Sequence, residues 1–201
     1  MTTTGLTTEL ILASASPRRA AFLDLLGVSY RVVPAGIDEV RKRDESPNNY
    51  VRRIALEKAE VVCARTQRSG PVLAADTAVA IEGALLGKPE NFSAAAAMLS
   101  QLSGRWHEVY SGVALVQRTA EVIGVRTRVK FRKLTPVEIK AYWASGEPAD
   151  KAGAYGIQGL GGAFVERIEG SYSNVVGLPL VETLELFARA GLRSVFSGPA
   201  D

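Results

Sequence analysis

Three hydroxyl-proline pairs, Ser16-Pro17, Ser46-Pro47 and Thr135-Pro136, set the framework of this chain. Each puts a capping hydroxyl just before the residue best tolerated in a helix's first turn, so each predicts a helix start. The apolar run Leu10–Ala13 precedes the first pair and predicts a strand feeding a helix. That helix carries Phe22, Leu23 and Leu26 at helical spacing and ends at Gly27, and Val28–Val33 reads as a second strand. The second pair opens a helix to about Ala64, with Val51, Ile54, Ala55 and Val62 on one face and Lys58 in the middle of that face. A lysine there needs a groove for its head. The third pair belongs to the capping box Thr135-Pro136-Val137-Glu138 and opens a helix through about Ser145.

Between these starts, Val72–Ala75 reads as a third strand followed by Asp76-Thr77, and Val79–Leu86 as a hairpin around Glu82-Gly83. An alanine-rich helix over Ser93–Leu102 stops at Gly104, and Val109–Val116 and Glu121–Leu134 are the longest strand candidates. After a glycine-rich stretch from Gly153 to Gly162 come a strand near Phe164–Ile168 and a last helix, Leu180–Ala190, closed by Gly191. Strands and helices alternate early and strands cluster in the middle, which predicts an α/β or α+β fold with a mixed sheet. With no linker in view, one domain over residues 1–201, core about 10–192, is the expectation.

At 47% hydrophobic and 22% charged residues the chain can bury a sizeable core, which excludes disorder as its main state. One cysteine, Cys63, forbids an internal disulfide, and one histidine, His107, leaves too few ligands for a Cys/His zinc site. Any metal would rest on carboxylates, which suits Mg²⁺ first and Mn²⁺ as the alternative. The net charge of +3 is a weak argument for nucleic acid, even with a pI near 9.1. The N-terminal sequence lacks a signal-peptide pattern and no apolar run approaches the ~20 residues of a membrane span, so a cytoplasmic protein is expected.

The turn Ser14-Ala15-Ser16-Pro17-Arg18-Arg19 crowds two hydroxyls and two guanidinium forks onto a helix start, the elements of a phosphate grip. A plain N-cap with two solvated arginines explains the same residues. Asp76, at the expected exit of a buried strand, is the strongest single candidate for acid–base or metal-holding work, against a turn cap as the simpler reading. Glu39 supplies a second carboxylate, and Lys58 and Lys88 add cations suited to a triphosphate, with surface lysines as the competing account. The segment Gly83–Pro89 is no P-loop, because it is one residue short and has proline where Ser or Thr would bind Mg²⁺. His107 reads as structural. The alternating cations Arg126, Arg128, Lys130 and Arg132 share one sheet face and read most simply as a solvated one.

Together the segments Leu12–Arg19, Glu57-Lys58-Ala59, Ala75-Asp76-Thr77, Gly87-Lys88-Pro89, Leu102-Ser103-Gly104 and Gly177-Leu178-Pro179 closely resemble the Maf family of nucleoside triphosphate pyrophosphatases. The stretch Asp150–Gly159 resembles the branch that hydrolyses dTTP and UTP rather than the one that prefers 7-methyl-GTP. The resemblance implies a mixed twisted sheet with flanking helices and a deep central groove, similar to the ITP pyrophosphatases, commonly as a homodimer. It implies Asp76 as proton acceptor; Arg18, Thr77 and Gln158 as setters of base preference; Ser14, Arg19, Lys58 and Lys88 on the phosphates; and Glu39 and Asp76 on a divalent cation. Ser111 departs from the family's more usual threonine but keeps the hydroxyl. A house-cleaning role on modified pyrimidine nucleotides and a link to cell-division arrest come with the family, as does a rival reading as a non-catalytic division regulator that binds nucleic acid.

Overall fold

The computed structural model describes residues 9–198. Its strands are β1 (Leu10–Leu12), β2 (Tyr30–Val32), β3 (Val72–Ile81), β4 (Ala84–Leu86), β5 (Trp106–Val116), β6 (Ala120–Phe131) and β7 (Val165–Glu169). The helices are α1 (Pro17–Leu25), α2 (Pro47–Arg65), α3 (Phe92–Leu102), α4 (Pro136–Ala144), α5 (Tyr172–Val176) and α6 (Leu180–Ala190). One seven-stranded sheet runs in the order β2-β1-β3-β5-β6-β7, with β4 on β3 off that path. β1 is parallel to β2 and β3, while β3, β5, β6 and β7 pair antiparallel, so the sheet is mixed as the alternation of elements requires. Among the described residues no helix is long and apolar enough to cross a membrane.

The three hydroxyl-proline pairs all start helices. Ser46 accepts from the Asn49 N–H, and Thr135 and Glu138 complete a capping box, but Ser16 makes no side-chain cap and leaves the first turn of α1 open. The expected hairpin forms across Glu82 and Gly83, both at positive φ, the turn whose twist matches paired strands. The short helix α5 carries no periodic signal in five residues, and the sequence reading passed over it.

β3 corrects the sequence reading. The strand does not stop at Ala75; it continues through Asp76 and Thr77 because β5 supplies an unbroken antiparallel partner from Val72↔Val116 to Ala80↔Glu108. Asp76 therefore sits mid-strand, opposite Gly112, and is neither a strand exit nor a turn cap. The other edge of β3 is divided. β1 pairs with Val72 and Leu73, β4 with Val79–Ile81, and Ala74–Ala78 have no strand partner on that side. A notch thus opens in the sheet beside Asp76.

Two apolar clusters hold the sheet's faces on either side of this notch. Val72, Ala74 and Ala114 pack with Ala55, Ala59 and Val62 of α2, and Leu73, Ala75 and Val113 with Leu23 of α1 and Leu186 and Phe187 of α6. The α2 face depends on two glycines that pair across β5 and β6, Gly112↔Gly124. A Cβ on Gly112 would overlap the Val51 carbonyl, and one on Gly124 the Asn48 side chain, so only bare backbone lets α2 lie this close. That approach carries Lys58, two turns further along α2, to the notch. A third cluster, around Phe131, Leu99 and Phe164, supports the far end of the sheet.

Candidate active site

The notch opens into a cleft of about 680 Å³. Side chains alternate faces along a strand, so Asp76 points to the α2 face and Thr77 to the α1 face. Both line the cleft, because it cuts through the sheet edge rather than lying on one face.

On the α2 side, Lys58 is buried, and its Nζ lies 2.8 Å from Asp76 Oδ1 and 2.6 Å from Glu39 Oε1. Its place on an apolar face is explained by two carboxylates that converge on its head, since a buried charge is retained only when paired. Glu39 comes from the segment after β2, where the Tyr50 hydroxyl donates to its carbonyl at 3.1 Å. Burial pushes the Tyr50 phenol up to about 12, with the charges of Asp76 and Glu39 adding to the effect.

On the α1 side, Arg19 is fixed by three bonds. Nε donates to the Gly177 carbonyl at 2.9 Å, one terminal nitrogen to Ser14 Oγ at 3.0 Å and the other to Thr77 Oγ1 at 3.1 Å. Five N–H donors less these three leave one hydrogen on each terminal nitrogen for a ligand. Burial lowers the Arg19 pKa, and Asp76 opposes that shift. Thr77 Oγ1 is 2.9 Å from Ser111 Oγ, which donates to the Asn174 carbonyl, so the hydroxyl kept at position 111 ties β3 through β5 to α5. Gly177, at φ +123°, presents its carbonyl to Arg19, and a Cβ there would come within 3.2 Å of Thr77 Oγ1.

The third wall is formed by residues 147–161, which wind through short 3-10 turns after α4. Gln158 lies there exposed, and Asp150 Oδ2 faces Arg18 across the cleft at 3.8 Å. Its bond from Lys151 holds the Asp150 carboxyl below its ordinary value. Lys88, after β4, reaches the same cleft. Every residue that the sequence singled out for base, phosphate or metal therefore lines one cavity: Ser14, Arg18, Arg19, Glu39, Lys58, Asp76, Thr77, Lys88 and Gln158.

Sequence reasoning missed Tyr155 and Glu147, which also line it. Tyr155 is buried and bonds His107 Nε2 at 2.8 Å. Burial pushes the His107 imidazole down to about 4, so the ring is neutral and stands behind the wall as a structural group. The cations in and just after β6 have local partners: Arg126 with Glu108, Arg128 with Glu169, Arg132, one residue past the strand, with Glu138, and Lys130 on the Gly104 carbonyl.

Known proteins resemble this chain over most of its length. A dTTP/UTP pyrophosphatase of Myxococcus xanthus is 55% identical over 185 residues, covering 92% of this chain and 94% of its own. Another dTTP/UTP pyrophosphatase, from Methylobacillus flagellatus, is 51% identical over 187 residues, with the same two shares. The structure of a nucleoside-triphosphatase, dITP/XTP pyrophosphatase, from Mycobacterium abscessus is similar at a TM-score of 0.44 and 19% identity, covering 91% of this chain and 93% of that one. The Maf-like protein profile matches residues 9–190, a span that contains β1 through α6 and the whole cleft, and the chain belongs to that family.

Proposed function

We propose that this chain hydrolyses nucleoside triphosphates, dTTP and UTP in particular, to the monophosphate and pyrophosphate, working in the cytoplasm as one domain. The observation that carries the reading is the convergence of Asp76, Lys58 and Glu39 on one side of the sheet notch and Arg19, Ser14 and Thr77 on the other, in one cleft of nucleotide size. The two curated dTTP/UTP pyrophosphatases, 51% and 55% identical, support the choice of substrates.

In this reading Asp76 Oδ accepts the proton of the attacking water, and Lys58, bonded to the same carboxylate, orients it. The attack breaks the α–β phosphoanhydride. The two remaining Arg19 hydrogens and the Lys88 ammonium meet the negative charge that grows on the departing pyrophosphate. Ser14 Oγ already accepts two bonds, from Arg19 and from the Ser16 N–H, so its own proton is free to donate to a phosphate oxygen. The residues also fit a divalent cation. Glu39 and Asp76 already meet at one positive centre, and two hard oxygen donors are what Mg²⁺ takes from a protein when phosphates and water complete its shell. Bound there, the ion supplies charge neutralisation to the phosphate oxygens. Gln158 reads the base, since one amide can donate to O4 and accept from N3–H, a pairing that cytosine inverts.

A panel of canonical and modified nucleoside triphosphates with Mg²⁺, scored for pyrophosphate, tests the reading. dTTP and UTP should lead and CTP should lag. Equal cleavage of CTP and UTP overturns the role of Gln158, and equal cleavage by the Asp76→Asn protein overturns that of Asp76.

A further inference from the structure

Gln158, exposed at the rim of the cleft, makes no side-chain hydrogen bond among the described residues, so its aim depends on the backbone that carries it. That backbone is organised around one carboxylate. Glu147 Oε2 accepts from the Leu160 N–H at 2.7 Å, and Oε1 accepts from the Gly161 N–H at 3.1 Å and from the Tyr142 hydroxyl at 2.7 Å. Tyr142 in turn accepts from the Gly156 N–H at 3.1 Å. Backbone donors on both sides of Gln158 are thus tied, directly or through one phenol, to Glu147. The loop has closed on that group: a Cβ on Gly159 would overlap the Glu147 carboxylate. Burial raises the Glu147 pKa but these bonds lower it further, leaving it below the ordinary carboxylate value and the charged acceptor in place.

We infer that Glu147 is a positioning residue for base recognition, a fixed anion that folds the 156–161 backbone into the one arrangement from which Gln158 meets the pyrimidine edge. The inference rests on Gln158 as the base reader. Both Glu147 oxygens are engaged by Leu160, Gly161 and Tyr142, and Glu147 acts through them. Its loss should therefore change which base is accepted, and how tightly, more than the rate at which a correctly bound triphosphate is cleaved.

The test is the Glu147→Gln protein, in which an amide keeps the shape but puts an NH2 in place of one accepting oxygen, against the Leu160 N–H or against the Gly161 N–H and the Tyr142 hydroxyl. KM for dTTP and UTP should rise about tenfold, with a smaller fall in kcat and a narrower UTP-to-CTP ratio. Inhibition by inorganic tripolyphosphate, which has no base, should not change. Gln158→Ala should lose the same selectivity, and the double variant no more than Gln158→Ala alone. Tyr142→Phe, which spares the carboxylate, should shift KM in the same direction by less. A loss of kcat shared by all substrates, or a selectivity kept in Glu147→Gln while Gln158→Ala loses it, overturns the inference. If Gln158→Ala itself keeps its selectivity, the base-reading assignment has failed instead. Amide exchange still decides the point for Glu147, because at least one of Leu160 and Gly161 must then exchange faster in Glu147→Gln, and unchanged protection at both overturns its role.

Discussion

The two sides of the cleft are built differently. Asp76, Lys58 and Arg19 stand on β3, α2 and α1, elements sunk into the apolar clusters, and the bonds Lys58–Asp76, Arg19–Thr77 and Arg19–Gly177 span 18, 58 and 158 residues of sequence. The side proposed to face the base is a run of 3-10 turns held by local bonds, with Glu147, Gly156, Leu160 and Gly161 all within 14 residues. The difference teaches which demands each side meets. Proton transfer and phosphate charge need groups fixed against strong mutual forces, and only the sheet supplies that rigidity. A base needs a contour, and a loop can change its contour without disturbing the core.

The largest effect should come from breaking the rigid side at its centre. Asp76→Asn should slow pyrophosphate release by about 10²–10⁴-fold with dTTP binding kept, measured by single-turnover assay and calorimetry. Turnover near the native rate would put water activation elsewhere. Next, Gly112→Ala drives a methyl into the Val51 carbonyl and should cost about 3 kcal/mol in urea denaturation, with Lys58 shifted from Asp76. A neutral result would mean that α2 is not clamped to the sheet.

The joint between the two sides is His107, on β5, against Tyr155 of the loop and the edge of Phe131. Its pKa is about 4 in the fold and about 6.5 when unfolded, so the unfolded chain binds the extra proton between those values. Stability should therefore fall as pH drops, by about 2 kcal/mol from pH 7 to pH 5. A His107→Gln protein should lose that component, and an unchanged pH slope would assign it to other groups. The smallest effect tests the cation centre. Lys58→Met should bind Mn²⁺ about tenfold more tightly without nucleotide, read by electron paramagnetic resonance, because ammonium and ion compete for Glu39 and Asp76. Weaker binding would show that the lysine and the ion occupy separate places.

The same contrast explains what was legible in the sequence. Helix starts at Ser16, Ser46 and Thr135 are local signals, and Lys58 announced a groove because its neighbours are apolar. The continuation of β3 through Asp76 was not legible, since the strand is extended there by a partner 36 residues away and not by its own pattern. The gap between β1 and β4 is likewise a property of pairing. Glu147 was missed for the opposite reason. Its role is a set of bonds to backbone N–H groups, which carry no residue type, and nothing in Glu147-Pro148 separates it from any acidic turn.

The partners of the cations in and just after β6 have an electrostatic consequence. With Arg126, Arg128 and Arg132 each opposite a glutamate, those three cations add little to the far field. Arg19 and Lys88, in the cleft, make no ion pair among the described residues. These two cations therefore act on a phosphate that has come within a Debye length of the cleft, about 10 Å at 0.1 M salt. A protein whose net charge is only +3 can in this way hold a triphosphate through two cations kept unpaired where the ligand binds.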